Sequence, residues 1–103
     1  MKEELLIPPI AEEDPNAIEV VRVWVARGAQ HVSLNPFVWK DPEAWGIVLA
    51  DLAGHLANAY QQEMGLSREE TMRKITDLLL AELRHPTDTA RGQIHNQRRP
   101  HNR

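Results

Sequence analysis

Apolar and polar residues alternate between Ile18 and Leu34 in a way that predicts a β-hairpin. The run Ile18 to Val25 is rich in β-branched residues, which fit a pleated strand better than a helix. A two-residue turn at Arg27 and Gly28 sorts both strands at once, with Val21 opposite Leu34 and Val23 opposite Val32 on one face, and Arg22 opposite Ser33 and Trp24 opposite His31 on the other. We therefore expect a hairpin over about residues 18–35.

The same stretch has a helical alternative. Asp14 and Pro15 would start a helix, Gly28 would end it, and several apolar residues between them would share one face. In that case the chain is mostly α, with residues 15–27 helical. We favour the hairpin because it gives the strand-like segment His31 to Leu34 a partner.

Two helices are predicted after the hairpin, over about residues 42–64 and 68–85. Asp41-Pro42-Glu43 has the composition of a helix start, and Gly65 that of a helix end. Ser67 and Glu70 have the spacing of a capping box. The expected fold class is α+β, a hairpin packed on an antiparallel pair of α-helices.

The first of these helices has two apolar faces. Its bulky residues recur at spacings of three and four: Trp45, Val48, Leu49, Leu52, Leu56, Ala59 and Tyr60. Its small residues Gly46, Ala50 and Gly54 form a second face, which we expect to pack closely against a neighbouring backbone. In the second helix, Leu78 falls outside the apolar stripe.

The two ends of the chain differ in charge and composition. Residues 1–19 hold one lysine against six acidic residues, whereas residues 91–103 hold four arginines and no acid. We expect an extended acidic arm over 1–16, a single domain over 17–86 and a disordered basic tail over 87–103. Arg98, Arg99 and Arg103 of this tail would give at most a weak, salt-sensitive contact with a polyanion.

Composition excludes several kinds of chemistry. The chain has no cysteine, and its five glycines are isolated from one another, so it carries neither thiolate chemistry nor a glycine-rich phosphate loop. The histidines lack the spacing of metal ligands, and we expect neither a metal nor a cofactor. Asp51 and His55, four residues apart, resemble a general-base pair, but a solvated polar strip explains them more simply. No run is apolar enough to cross a membrane, and we expect a cytoplasmic protein.

The chain resembles a bacterial family. The segments that carry the resemblance are Val23-Trp24-Val25-Ala26, His31-Val32-Ser33-Leu34 and the long run from Ala44 to Ala59, with Pro8-Pro9 and Pro86-Thr87-Asp88-Thr89. They are similar to small α-proteobacterial proteins of about 100 residues that are described only as a domain of unknown function. The resemblance covers most of residues 1–92 and implies neither an activity nor a catalytic residue.

A protein–protein interaction or adaptor module without catalysis is the function that these observations favour. Trp24 and Leu78 would be exposed in one copy of the predicted fold, which predicts a homodimer. A candidate interaction surface therefore contains Arg22, Trp24, His31 and Leu78. Two alternatives stay open: a small-molecule-binding protein or enzyme that uses the Arg22, Trp24 and His31 surface, and a weak nucleic-acid binder that uses the basic tail.

Overall fold

The computed structural model describes residues 2–87 and the backbone of Ile94 and His95. This part of the chain forms two compact units, with a boundary between Val38 and Trp39. The chain returns to the first unit after Arg91, so that residues 94–95 belong to it. The first unit contains a short helix, α1 (Pro9–Glu13), and three strands, β1 (Val21–Ala26), β2 (Ala29–Leu34) and β3 (Ile94–His95). The second contains two long helices, α2 (Ala44–Met64) and α3 (Arg68–Arg84). Our sequence analysis expected a single domain over 17–86 and did not anticipate this boundary.

The predicted hairpin is confirmed in its strands, its register and its turn. β1 and β2 are antiparallel, with Val21 opposite Leu34 and Trp24 opposite His31. Arg27 and Gly28 have φ angles of 51° and 74°, and two positive φ angles in succession define the two-residue turn that matches the twist of a hairpin. Residues 15–27 are therefore not helical.

Two residues of the tail that we predicted over 87–103 form a short strand, β3. β3 pairs with β2 in parallel, with Ile94 opposite Val32 and His95 opposite Ser33. An outer edge of β2 was open to such pairing, because a hairpin leaves the far side of each strand without a partner. The remainder of the tail beyond Thr87 lies outside the described residues.

The acidic arm is not extended throughout, because Pro9–Glu13 form about one turn of helix. Proline is favourable at the first helical position, where its fixed φ suits the helix and its missing N–H is not needed. The amides of Ala11 and Glu12 donate to the carbonyl of Pro8 at 2.9 and 3.1 Å. This short helix corrects our prediction of an extended arm over residues 1–16.

α2 begins two residues later than predicted. The amides of Ala44 and Trp45 donate to the carbonyls of Asp41 and Pro42 at 3.1 and 3.0 Å, which is a tight turn of three-residue spacing ahead of the helix proper. Trp39 packs edge to face on Trp45, with ring centroids 5.4 Å apart. The tryptophan pair thus covers the beginning of the helix.

The connection between α2 and α3 follows the sequence closely. Gly65 adopts the left-handed conformation at φ 70°, which ends α2, and the Ser67 hydroxyl accepts a hydrogen bond from the Glu70 amide at 3.2 Å, which caps α3. The two helices pack on each other, and the α+β class is confirmed. Within the described residues, neither helix combines the length and the hydropathy that crossing a membrane requires.

Candidate functional site

Arg22 is the centre of a charged cluster on the hairpin. Its Nε donates to Glu19 Oε2 at 3.0 Å and its Nη2 to Glu19 Oε1 at 3.3 Å, so that this pair is bidentate. Its Nη1 donates to Glu4 Oε2 at 3.0 Å, which ties the N-terminal arm to β1. The guanidinium carbon lies 6.0 Å from the centre of the Trp24 ring, at the outer limit of a cation–π contact.

The two carboxylates raise the pKa of Arg22, first through the hydrogen bond and charge of Glu19 and then through those of Glu4. A raised pKa means that the charged guanidinium is favoured in the folded state. Its contribution to stability is present at all pH values below its ordinary pKa and is lost only in strongly alkaline solution. Arg22 therefore stays charged and does not act as a switch near neutral pH.

Trp24 lies on the more covered face of the hairpin, which differs from our expectation. The side chains of Arg22, Trp24 and His31 are half-buried, whereas Val23 and Val25 on the opposite face are 55% and 78% exposed. Arg22, whose guanidinium lies over the Trp24 ring, is part of this cover. The hairpin thus turns two valines outward rather than its tryptophan.

The residues of the helix pair that are buried are small. Ala57 is fully buried and Thr71 is 8% exposed, and they are the only buried residues in the described part of the chain. The Thr71 hydroxyl donates to the carbonyl of Ser67 at 2.8 Å, so that its polar group is satisfied inside the contact. Arg68 Nε donates to Asn58 Oδ1 at 2.6 Å beside it. Small side chains let the helices approach, but they bury little apolar surface.

Large apolar side chains of the helix pair are exposed instead. Those at least 40% exposed are Ile47, Leu49, Leu52, Leu56, Tyr60, Met64, Leu66, Leu78, Leu79, Leu80 and Leu83. Four of them recur at spacings of three and four on one face of α2, and we call this face the α2 stripe: Leu49, Leu52, Leu56 and Tyr60. Periodicity predicted these residues as part of the bulky apolar face of the helix, without indicating that they are exposed.

The predicted close-packing face of α2 is not close-packed within the chain. Gly46 and Ala50 are exposed, and a Cβ on Gly46 would meet nothing within 4 Å. At Gly54 a Cβ would meet only the Nη2 atom of the Arg68 side chain, at an ordinary 3.5 Å. The fully buried residue of α2 is Ala57, one turn further along. Leu78, the fourth residue of the predicted interaction surface, is 63% exposed and lies in the second unit.

The described residues offer little that resembles a catalytic centre. No group of three His, Asp or Glu side chains within residues 2–87 lies close enough together to hold a metal ion. Asp51 and His55 are both exposed on α2. An open groove of about 370 Å³ lies where α2 turns into α3, and Tyr60, Leu66 and Ile75 are among the residues that line it. Arg98, Arg99 and Arg103 lie outside the described residues.

Two ion-pair partners of Arg22 were missed by sequence reasoning. Glu4 and Glu19 were counted only as charges of the N-terminal segment. Glu19 lies three residues before Arg22, which is a detectable signal for an ion pair, whereas Glu4 lies 18 residues away and carries none.

Comparison with known proteins identifies relatives without an established activity. No curated protein matches the chain. Four chains of solved structures match it. One is a structure from the photosynthetic bacterium Rhodopseudomonas palustrus CGA009, described as a "putative pyruvate dehydrogenase"; it is 32% identical, its TM-score is 0.74, and the match covers 93% of this chain and 98% of that one. Residues 4–87 match a family described as "Domain of unknown function (DUF5076)". Since that match spans most of its length, the chain belongs to this family of domains of unknown function.

Proposed function

We propose that this protein is a non-catalytic protein–protein interaction or adaptor module that acts as a homodimer. The observation that carries the proposal is the exposure of eleven large apolar side chains in the helix pair. Soluble monomers rarely expose contiguous apolar patches of more than a few hundred Å². A helix pair with two buried residues needs a further surface to cover its leucines.

The energetics are consistent with association. Fully burying a large apolar side chain contributes about 1.5–3 kcal/mol, so covering eleven half-exposed ones would contribute on the order of 10 kcal/mol. Association of two proteins costs an estimated 4–15 kcal/mol in lost translational and rotational freedom. The exposed surface is therefore of the size that offsets this cost. We place the module in the cytoplasm, because a chain without cysteine suits a reducing compartment.

Light scattering coupled to size exclusion tests the proposal. We expect a mass of twice 11.8 kDa at micromolar concentration, with dissociation on dilution. A monomer mass at all concentrations up to about 100 μM, far above the Kd of an interface of standard size, would overturn the homodimer.

A second candidate function is binding of a small carboxylate on the hairpin, and the description of the Rhodopseudomonas relative favours pyruvate as the ligand to try. Arg22 beside Trp24 has the chemistry to bind a carboxylate. Against this, Glu4 and Glu19 already occupy its donors, and a ligand would have to displace one of them.

Pyruvate titration monitored by the indole N–H signal of Trp24 separates the two functions. Under the interaction proposal the signal does not move at millimolar pyruvate. A saturable shift that Arg22→Gln abolishes, and that Arg27→Gln on the exposed turn leaves unchanged, would favour the second function.

A further inference from the structure

We propose that the α2 stripe is covered by the α2 stripe of a second copy of this chain, with the two helices antiparallel. This inference rests on the homodimer proposed above and adds the surface, the partner segment and its direction. The stripe runs over residues 49–60, a length of about 16 Å at 1.5 Å per residue, and it occupies the middle of a 21-residue helix. It is thus placed to meet its own copy about a two-fold axis.

The exposed area is sufficient for a dimer. The four residues of the stripe are 41–55% exposed and present on the order of 400 Å², if a large side chain carries roughly 200 Å². The other exposed apolar residues of the helix pair, Ile47 excepted, bring the total to on the order of 1,000 Å², compared with roughly 800 Å² from each partner in a standard interface. The stripe would form the centre of the interface, where binding energy concentrates.

Charge at the ends of the stripe favours the antiparallel direction. Exposed Glu63 lies seven residues after Leu56, on the same side of α2, and exposed Lys40 precedes the helix. With the axis midway between Leu49 and Leu56, each Glu63 falls beside the partner helix's N-terminus. The helix dipole and Lys40 stabilise a carboxylate there, and Asp41 and Glu43 oppose it only in part. A parallel pairing would instead bring Glu63 next to its own copy.

Single cysteines test the direction, because the natural chain contains none. We expect Leu49→Cys mixed with Leu56→Cys to form a mixed disulfide dimer under mild oxidation, at a yield at least several-fold above that of either variant alone. In the proposed antiparallel pair, position 49 of one copy lies opposite position 56 of the other, within the Cα distance limit of about 7 Å for a disulfide. Position 49 of one copy and position 49 of the other lie about 10 Å apart along the helix axis, which is too far. Ile47→Cys, 67% exposed and off the stripe, is the matched control and should remain unlinked.

The other outcomes overturn the inference in distinguishable ways. Preferential linking of Leu49→Cys to itself would show a parallel pair. A dimeric protein in which no stripe cysteine links faster than Ile47→Cys would show that another surface mediates dimerisation, and the proposed function would stand. A monomer in light scattering would remove both.

Discussion

The hairpin and the helix pair hold together by different means. In the hairpin, two strands pair over six positions and satisfy each other's backbone hydrogen-bonding groups. A two-residue turn with positive φ angles fixes their register. In the helix pair, each helix satisfies its own backbone, and among the described residues only Ala57 and Thr71 are buried. The hairpin thus depends on backbone geometry, and the helix pair on close approach.

This difference shows how an apolar pattern should be read in a small chain. In the hairpin the pattern specifies which residues are opposite each other, and it does so even though Val23 and Val25 end up exposed. In the helices the pattern specifies a face that must be covered, without saying by what. Because burial of apolar surface is the main source of stability, the helix pair is the region that stands to gain from a partner.

Of the substitutions that test this comparison, Ala57→Leu is expected to change the free energy of unfolding most. A larger side chain at the fully buried position would separate α2 from α3, at a cost of about 1–3 kcal/mol in the free energy of unfolding. Ala50→Leu, at an exposed position two turns earlier in the same helix, should change it by less than about 0.5 kcal/mol. Urea denaturation measures both. Equal effects would mean that the helices do not depend on close approach at Ala57.

Gly28→Val is the corresponding test of the hairpin. At φ 74° a β-branched residue should destabilise the turn by about 1–2 kcal/mol. Arg27→Gly, at φ 51°, should stabilise the turn or leave it unchanged, because it removes a left-handed residue with a Cβ. Thermal unfolding followed by circular dichroism compares the two. A tolerated valine at position 28 would show that the turn adopts another conformation.

Gly54→Ala should raise stability by up to about 1 kcal/mol, since alanine is the better helix former and its Cβ would meet only the flexible end of Arg68. The close packing that we expected at Gly54 from the sequence would instead make a larger residue there destabilising. A lowered melting midpoint would show that something outside the chain packs closely at this glycine, which would make it part of an interface.

Removal of residues 93–103 should have the smallest effect. It deletes β3, whose two residues contribute few hydrogen bonds to β2, each worth about 1 kcal/mol net. A chain that ends after His95 keeps the strand and serves as the control. Amide exchange at Val32 and Ser33 should accelerate only in the shorter chain. Loss of helix-pair stability in either chain would contradict this assignment of β3 to the hairpin.

Local features of the fold were predictable from the sequence. The register of the hairpin, its turn and the cap of α3 each depend on residues a few positions apart, and all three are confirmed. The helix start was less accurate, because Asp41-Pro42-Glu43 forms a tight turn rather than the first turn of α2. The brief helix after Pro8 was missed, since proline both opens helices and disfavours them before itself.

Long-range features were not predictable. Glu4 reaches Arg22 across 18 residues, and no spacing rule connects such positions. The face of the hairpin that is covered also differed from expectation, because burial of Trp24 depends on neighbours distant in the chain. For the α2 stripe, periodicity identified the residues correctly, but the same period describes a core and an interface.

The outer edge of β1 has a consequence for solubility. Among the described residues β1 has a paired neighbour on one side only, and its sequence, Val-Arg-Val-Trp-Val-Ala, contains neither proline nor lysine to deter another strand. Arg22 is the one charged residue of β1, and its ion pairs with Glu4 and Glu19 hold that charge in place. Arg22→Val would leave six uncharged residues of high β-propensity along an open edge. The first sign of that change would be accumulation of insoluble protein during expression, before any loss of the fold itself.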